Sequence, residues 1–420
     1  MVESKADIVN YSKSDKRVST VFVIHIYLLI CKNMLVNVND TLFSYNNFLN
    51  KTILFLFLGL YLWLFLTSGI IRKIKPITCG ILILIILFWI LTYCIDSVRF
   101  VSNDFPYSYV KRQLRTFLAY CLPLFIIVST VSSFDCLLQK LFRYVTIPFI
   151  VATFSFYLSL KPHTNGVYMS YGNAVLVASI ILLFKFVYTK SAINLLQFLL
   201  TCVYIVISGS RGPLVSIFLA VICAFIICRK KRYIIIIGVI GILVFIFRED
   251  VLQIISNLMD TLNIKSRTIE MLLSGKIGSD SDRSLIHQNL LNRLNNYPLT
   301  GLGAFGGEAT VGLSHSVYLD IWANFGYVIG TIFMVYMAIS NLYYHIRYRH
   351  SSFSVLLLII SLILLPRGFF DENFWGAKEL WIMMAMHIQI HYGKPLGCFQ
   401  YNYFLKIKKE RINESIIHSN

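Results

Sequence analysis

Residues 282–330 read DRSLIHQNLLNRLNNYPLTGLGAFGGEATVGLSHSVYLDIWANFGYVIG, and this stretch decides how the chain is organised. It closes the one long polar segment of a chain that otherwise consists of apolar runs. Arg283, a glycine-rich turn from Gly301 to Gly307, and His315 follow one another within it, and an apolar run begins at Ser316. Titratable side chains are therefore gathered at the mouth of a predicted membrane helix.

The composition is that of a membrane protein. The chain is 57% hydrophobic and 14% charged, whereas soluble domains carry about 25% charged residues. Its apolar runs of about 17 to 25 residues are long enough to cross a hydrocarbon core of about 30 Å. Because lipid offers the backbone no hydrogen-bond partners, such spans must be helical. The sequence predicts an all-α polytopic membrane protein with about twelve transmembrane helices.

The predicted spans form a single transmembrane domain, residues 1–420, with one long outward loop at residues 248–314 that carries an amphipathic helix. The first apolar run ends without the small-residue cleavage site of a secretory signal, so we interpret it as a retained span. The predicted spans are Val18–Val36, Ile53–Ile71, Ile77–Ile95, Leu114–Val131, Leu141–Leu160, Ala174–Tyr188, Ala192–Ile207, Leu214–Cys228, Tyr233–Phe247, Ser316–Tyr336, Phe353–Leu365 and Leu380–His391.

Lysine and arginine in the short connections predict the orientation, because positively charged loops stay in the cytoplasm. Residues 72–75 and 229–232 are two such connections, and the alternation of spans then leaves the loop 248–314 outside. We expect both termini in the cytoplasm and His315 at the outer face. One outward connection runs against this pattern, and we interpret it as attracting an anionic headgroup or substrate. Its basic residues are Arg99, Lys111, Arg112 and Arg115.

The net charge of +18 is explained mostly by these cytoplasmic loops. The basic residues are spread over many turns and are not gathered on one face with interleaved aromatics, so no nucleic-acid partner is expected. The nine cysteines lie almost entirely in or beside spans, with none in the loop 248–314. This distribution argues against a disulfide framework or a zinc site. No cofactor and no metal are expected.

Two motif matches carry little weight. Gly301, Gly303 and Gly306 spell Gly-x-Gly-x-x-Gly, but no βαβ unit surrounds them, so a dinucleotide site is not expected. Asp280 and Asp282 resemble the Asp-x-Asp motif of metal-dependent nucleotide-sugar transferases. Because an outward face has no supply of nucleotide sugar, we favour an exposed acidic turn.

Three basic side chains are not explained by composition. Arg211 lies in an outward turn of small residues, where its planar guanidinium suits a phosphate group. The alternative is an arginine that snorkels to the interface. Arg283 begins the amphipathic helix, where a solvated surface position is the alternative. His315 can be neutral near pH 7 and accept a proton from a hydroxyl. The alternative is an interfacial histidine without a catalytic role.

Two arginines that hold a diphosphate leaving group and one histidine base together meet the requirements of a transferase. His287, one helical turn after Arg283, is the reserve candidate for the base. The connection 366–375 combines charges with aromatic rings, which suits sugar binding, and an interfacial belt with a local ion pair is the alternative. The candidate substrate-binding residues are Arg367, Asp371, Glu372, His287 and, in the glycine-rich turn, Glu308.

The order of these motifs resembles a known family. Ser-Gly-Ser-Arg-Gly-Pro-Leu around Arg211, then Arg283 with its helix, then Tyr-Pro-Leu-Thr-Gly-Leu-Gly, then Ser-His-Ser-Val-Tyr-Leu-Asp around His315 are similar to the O-antigen polymerase and ligase superfamily of bacterial cell envelopes. The resemblance covers residues 166–330, and the N-terminal third matches only as a series of spans. The family commonly has asparagine after the histidine, where this chain has Ser316.

The resemblance implies a metal-independent glycosyltransferase in the bacterial inner membrane. Such enzymes transfer an oligosaccharide from undecaprenyl diphosphate to a sugar hydroxyl at the periplasmic face. Carried over to this chain, the catalytic residues are Arg211 and Arg283, which would hold the donor diphosphate, and His315, which would act as the base. Undecaprenyl-diphosphate-linked oligosaccharide and membrane lipids are the expected partners, and binding of a chain-length regulator protein is left open.

We favour a polymerase, which joins lipid-linked repeat units, because the stretch from Arg283 to His315 is compact. The alternative is an O-antigen ligase, which transfers the finished glycan to a lipid A core. A transporter of lipid-linked sugar would also explain the helices. It predicts paired charges near mid-membrane and symmetric halves, whereas the unexplained charges here gather at one face.

Overall fold

The computed structural model describes most of the predicted helical regions. The described residues are 11–36, 46–95, 108–159, 168–208, 211–227, 253, 256–257, 283–312, 314–349, 351–370 and 373–392. The side chains of a few helical residues, those of Arg211 and Arg367 among them, are outside this description. The predicted span Tyr233–Phe247 and most of the loop before Arg283 also lie outside the described residues.

Within the described ranges the regular structure is helical, and no strand occurs there. The helices before the loop are α1 (Lys13–Val36), α2 (Asn46–Ser68), α3 (Ile70–Lys73), α4 (Pro76–Ile95), α5 (Ser108–Thr116), a π-helical turn (Phe117–Cys121), α6 (Leu122–Ser129), α7 (Phe134–Tyr144), α8 (Thr146–Ser159), α9 (Tyr168–Thr189), α10 (Ala192–Ser208) and α11 (Arg211–Ile227). The later helices are α12 (Arg283–Leu294), α13 (Gly306–Val311), α14 (Val317–Arg347), α15 (Ser352–Phe370) and α16 (Lys378–Tyr392).

Four helical segments in the described part of the chain are long and apolar enough to cross a membrane. They are Lys13–Leu35, Phe134–Leu158, Tyr171–Thr189 and Val317–Arg347. Shorter apolar helices accompany them at Thr52–Ser68, Pro76–Thr92, Ala192–Ser208, Gly212–Ile226 and Ser352–Leu365. The described part of the chain is therefore all-helical, with several helices able to span a membrane. The total of twelve spans stays a prediction.

Helix α9 lies at the centre of the bundle. Every residue from Tyr171 to Phe184 is buried, as expected for a helix that is apolar all round. It packs against α1, α8, α10, α11 and α15. Peripheral helices instead expose large apolar side chains, with Phe55 and Leu66 of α2 at 70% and 77% exposure. Exposed apolar faces of this size are suited to contact with lipid.

The glycine-rich turn packs directly against a kink in α14. The kink is at Gly326, whose φ of 78° and ψ of 170° are not helical. On either side of it, the backbone N–H of Leu302 donates to the Ala323 carbonyl at 2.6 Å, and the N–H of Tyr327 donates to the Pro298 carbonyl at 2.8 Å. The turn therefore binds backbone groups that the interrupted helix leaves without helical partners.

Two glycines permit this close approach. A Cβ atom on Gly301 would lie 2.5 Å from the Gly326 nitrogen and 2.8 Å from the Ala323 carbonyl oxygen. A Cβ atom on Gly326 would collide with the Leu299 carbonyl oxygen. Both glycines also have positive φ, which side chains disfavour. Backbone packing therefore explains why Gly301, the first residue of the Gly-x-Gly pattern, is a glycine.

We expect the Gly326→Ala substitution to destabilise the protein. The added methyl group meets backbone that cannot move aside, and a non-glycine residue at this φ costs about 1 to 3 kcal/mol by itself. The apparent unfolding temperature of purified protein in detergent should fall by several degrees. Gly59→Ala is the matched control, because a Cβ atom at Gly59 in α2 meets nothing within 4 Å. Equal unfolding temperatures for the two variants would contradict this account of the kink.

Candidate functional site

His315 lies in the short connection between α13 and α14, and its backbone conformation is unusual. Its φ of 53° is in the left-handed region, which is rare for a residue with a side chain. The side chain is half-buried, whereas those of its neighbours Ser314 and Ser316 are only 1% and 4% exposed. Strained backbone of this kind persists only where the surrounding contacts enforce it.

Ser316 begins helix α14 as its N-cap. Its φ of −150° is extended, and its hydroxyl oxygen accepts a hydrogen bond from the Leu319 N–H at 3.4 Å. Serine and asparagine are both preferred N-cap residues because each has a side-chain oxygen that reaches this donor. The serine that follows His315 can therefore perform the capping role that is open to an asparagine at the same position.

Ser314 connects the His315 loop to two other parts of the chain. Its hydroxyl donates to Asn373 Oδ1 at 3.2 Å, in the segment between α15 and α16. Its carbonyl oxygen accepts a hydrogen bond from His287 Nε2 at 2.9 Å. Because a carbonyl oxygen can only accept, Nε2 of His287 carries a proton, and in a neutral ring Nδ1 is then the acceptor nitrogen.

Helix α12 carries Arg283 and brings His287 to this loop. Its apolar side is buried through Leu290 and Leu294, both 0% exposed, which belong to a cluster with Leu302, Val311 and Ala323. Arg283 is half-buried, one helical turn before His287. The structure thus brings His287 to the residue before His315, and Arg283 lies one turn earlier on the same helix.

Two carboxyl groups are buried directly beneath this loop. Glu308 in α13 is 1% exposed, and Asp320 in the first turn of α14 is 0% exposed. Glu308 Oε1 accepts from Asn373 Nδ2 at 3.2 Å, and Asp320 Oδ2 accepts from the Phe374 N–H at 2.9 Å. Burial, and secondarily the charge of Asp320, raise the pKa of Glu308 well above its usual value.

Asn324 lies one turn further along α14 and connects the glycine-rich turn, α14 and the segment after α15. Its Oδ1 accepts from the Phe305 N–H at 2.9 Å and from Trp375 Nε1 at 2.8 Å, and its Nδ2 donates to the Asp320 carbonyl at 2.6 Å. The side chain is 0% exposed. A buried amide with these three bonds ties the glycine-rich turn and the connection after α15 to α14.

The aromatic residues at the end of the connection 366–375 lie inside the protein. Phe374 and Trp375 are 2% and 1% exposed, and Trp375 stacks on Phe305 with ring centroids 4.8 Å apart. These two rings are therefore packed in the core and do not offer a face to a sugar. Asp371, Glu372 and the side chain of Arg367 lie outside the described part of the structure, so their predicted contribution to substrate binding stays a prediction.

Arg211 is the first residue of α11, which packs against α9 and α15. Its side chain is outside the described part of the structure, and its role stays a prediction from the sequence. Sequence reasoning did not identify Asp320, Asn324 or Asn373. The sequence did carry a signal for Asp320, because a carboxylate within an apolar helical run rarely occurs without a partner.

Comparison with known proteins gives a family match for part of the chain. Residues 196–335 match the family model described as O-antigen ligase. The matched region begins in α10, ends in α14 and includes Arg211, Arg283 and His315. No curated protein matches the chain. This match over part of the chain supports a relation to the O-antigen polymerase and ligase superfamily.

Proposed function

We propose that the chain is a polymerase of a bacterial surface polysaccharide, which joins undecaprenyl-diphosphate-linked repeat units at the periplasmic face of the inner membrane. The observation that carries the proposal is the anchoring of His315, in a strained conformation, beside the helix that bears Arg283. The family match over residues 196–335 supports a glycosyl-transfer reaction on a lipid-linked oligosaccharide. The proposal includes cytoplasmic N- and C-termini.

In the proposed reaction, a hydroxyl oxygen of the acceptor sugar attacks the anomeric carbon of the donor sugar. His315 takes the proton of that hydroxyl. The bond between the anomeric carbon and the diphosphate oxygen breaks, and its electron pair leaves with undecaprenyl diphosphate. Attack opposite the leaving group inverts the anomeric configuration.

The two arginines act on the leaving group in this proposal. Negative charge increases on the diphosphate as the bond breaks, so fixed guanidinium groups stabilise the transition state more than the bound substrate. Arg283 is on α12 beside the His315 loop, and Arg211 is the proposed second cation. Because these groups supply the positive charge, the proposed transfer needs no metal ion.

An O-antigen ligase is the second candidate, and one observation favours it, namely the description of the matched family model. The two reactions share the donor and differ in the acceptor, which is another lipid-linked repeat unit for the polymerase and a lipid A core for the ligase. The compact stretch between Arg283 and His315 leads us to prefer the polymerase.

Purified protein in detergent, supplied with one undecaprenyl-diphosphate-linked repeat unit and EDTA, should produce a ladder of lipid-linked oligomers on a gel. No second protein and no nucleotide sugar is required. Transfer that occurs only after a lipid A core is added would establish the ligase instead. Inactivity with both acceptors, in protein that remains folded, would contradict glycosyl transfer and favour a transporter.

The two histidines should respond differently to substitution. His315→Ala should lower kcat by about 10²- to 10⁴-fold, the usual contribution of a general base. His287→Gln keeps an N–H donor for the Ser314 carbonyl and should retain most of the activity. Rates of lipid-linked oligomer formation measure both effects, with unfolding temperature as the check on folding. A loss in His287→Gln as large as that in His315→Ala would move the base role to His287.

Arg283→Ala should lower kcat/KM by about 10- to 150-fold, because a hydrogen bond to a charged group contributes about 1.5 to 3 kcal/mol. Arg283→Lys keeps the charge without the planar fork of the guanidinium group. Its kcat/KM should therefore lie between those of Arg283→Ala and the unsubstituted protein. Arg293→Ala is the matched control, since Arg293 is an exposed residue in the last turn of the same helix. Equal activity losses in Arg283→Ala and Arg293→Ala would show that Arg283 has no specific role.

A further inference from the structure

The buried carboxyl groups of Glu308 and Asp320 are neighbours that interact electrostatically. Glu308 Oε2 and Asp320 Oδ1, one oxygen of each group, are buried without a hydrogen-bond partner in the described part of the structure. The contact also requires Gly307, because a Cβ atom there would collide with Asp320 Oδ1. The pair is therefore built into the packing of α13 against α14.

Two carboxylates this close together in a buried site cannot both be ionised, because each charge opposes the other and neither is solvated. A hydrogen bond between two carboxyl groups also needs one proton, since ionised oxygens only accept. A proton on Glu308, whose pKa is raised by burial, would let its Oε2 donate a hydrogen bond to the unpaired Asp320 Oδ1. The pair is then a neutral donor joined to a single carboxylate.

Each member of the pair reaches a different part of the His315 loop. Glu308 Oε1 accepts a hydrogen bond from Asn373 Nδ2. Asn373 Oδ1 in turn accepts a hydrogen bond from the Ser314 hydroxyl at 3.2 Å. The backbone N–H of Asp320 donates to the Ser316 carbonyl at 3.0 Å, and its Oδ2 holds Phe374. The residues immediately before and after His315 are thus connected to the same carboxyl pair.

We propose that Glu308 and Asp320 form a positioning pair, joined by one shared proton, that holds His315 in the orientation required for catalysis. The pair acts through Asn373, Ser314 and the first turn of α14. In this proposal the buried Glu308, which the sequence predicted to bind substrate, does not touch it. This inference rests on the proposed function insofar as His315 is the catalytic base. It gives Glu308 a role as a neutral hydrogen-bond donor, which glutamine can also fill.

Substitutions at Glu308 separate this role from general stability. Glu308→Ala removes the carboxyl group that faces Asn373 Nδ2 and Asp320 Oδ1, so we expect kcat to fall by about 10- to 100-fold, as it does when a reacting group is misplaced by about 1 Å. KM for the lipid-linked donor should change by less than about twofold, because no donor contact is removed. Glu308→Gln supplies an N–H donor of similar shape and should restore kcat to within a few-fold of the unsubstituted protein.

Thr310→Ala is the matched control for these variants. Thr310 lies in the same short helix, and its hydroxyl donates to the Gly306 carbonyl at 2.7 Å within that helix. This substitution should leave both kcat and KM unchanged. Unfolding temperatures of all variants show whether the losses in kcat follow from unfolding.

A second readout does not depend on activity. Diethyl pyrocarbonate modifies accessible, neutral histidines, and mass spectrometry measures the rate at each site. In Glu308→Ala the rate at His315 should change several-fold relative to that at His345 in the last turn of α14, whereas Glu308→Gln should match the unsubstituted protein. This result would hold even if His315→Ala proved fully active, so failure of the proposed function and failure of the positioning pair are distinguishable.

Two results would overturn the inference. In one, Glu308→Ala has the kcat and the His315 modification rate of the unsubstituted protein, which would make the pair irrelevant to the loop. In the other, Glu308→Gln is as impaired as Glu308→Ala at an unchanged unfolding temperature, which would mean that an ionisable group and not a neutral donor is needed at this position.

Discussion

The direct backbone contact between the glycine-rich turn and the kink of α14 is the constraint on which the rest of the site depends. Gly301 and Gly326 approach so closely that neither position has room for a side chain. Once the turn is in this position, α13 follows at Gly306 and brings Glu308 against Asp320. The loop that carries His315 then has to cover the short distance between two fixed helices. Backbone packing therefore determines the geometry of a polar site.

The site is assembled from segments that are far apart in the chain. The N–H of Ala304 donates to Thr92 Oγ1 at 3.0 Å, so α4 in the N-terminal third also holds the glycine-rich turn. Trp89 of the same helix lies 5.5 Å from Trp375, between ring centroids. Helices outside the region matched by the family model thus support it directly. Their contribution is to hold the turn and the connection after α15, while the predicted catalytic residues all lie within residues 196–335.

Much of the helical architecture could be predicted from the sequence, because apolar runs must form helices in lipid. The apolar spacing after Arg283 also predicted α12. The buried network could not be predicted, since its partners are separated by 65 positions for Asn373 and Glu308 and by 54 for Phe374 and Asp320. The left-handed backbone of His315 carries no sequence signal, because such conformations are expected of glycine. The sequence predicts Trp375 near the surface with its charged neighbours. In the structure its ring instead packs between Phe305 and Trp381.

In the proposed reaction one displacement, with His315 as the base and diphosphate as the leaving group, joins the sugars. The most direct measurement follows purified protein acting on lipid-linked repeat units, with undecaprenyl diphosphate quantified by mass spectrometry and the new linkage assigned by NMR. We expect one undecaprenyl diphosphate to be released per linkage and the anomeric configuration to be opposite to that of the donor. Retention of configuration, or linkage formation without that release, would contradict the proposed reaction.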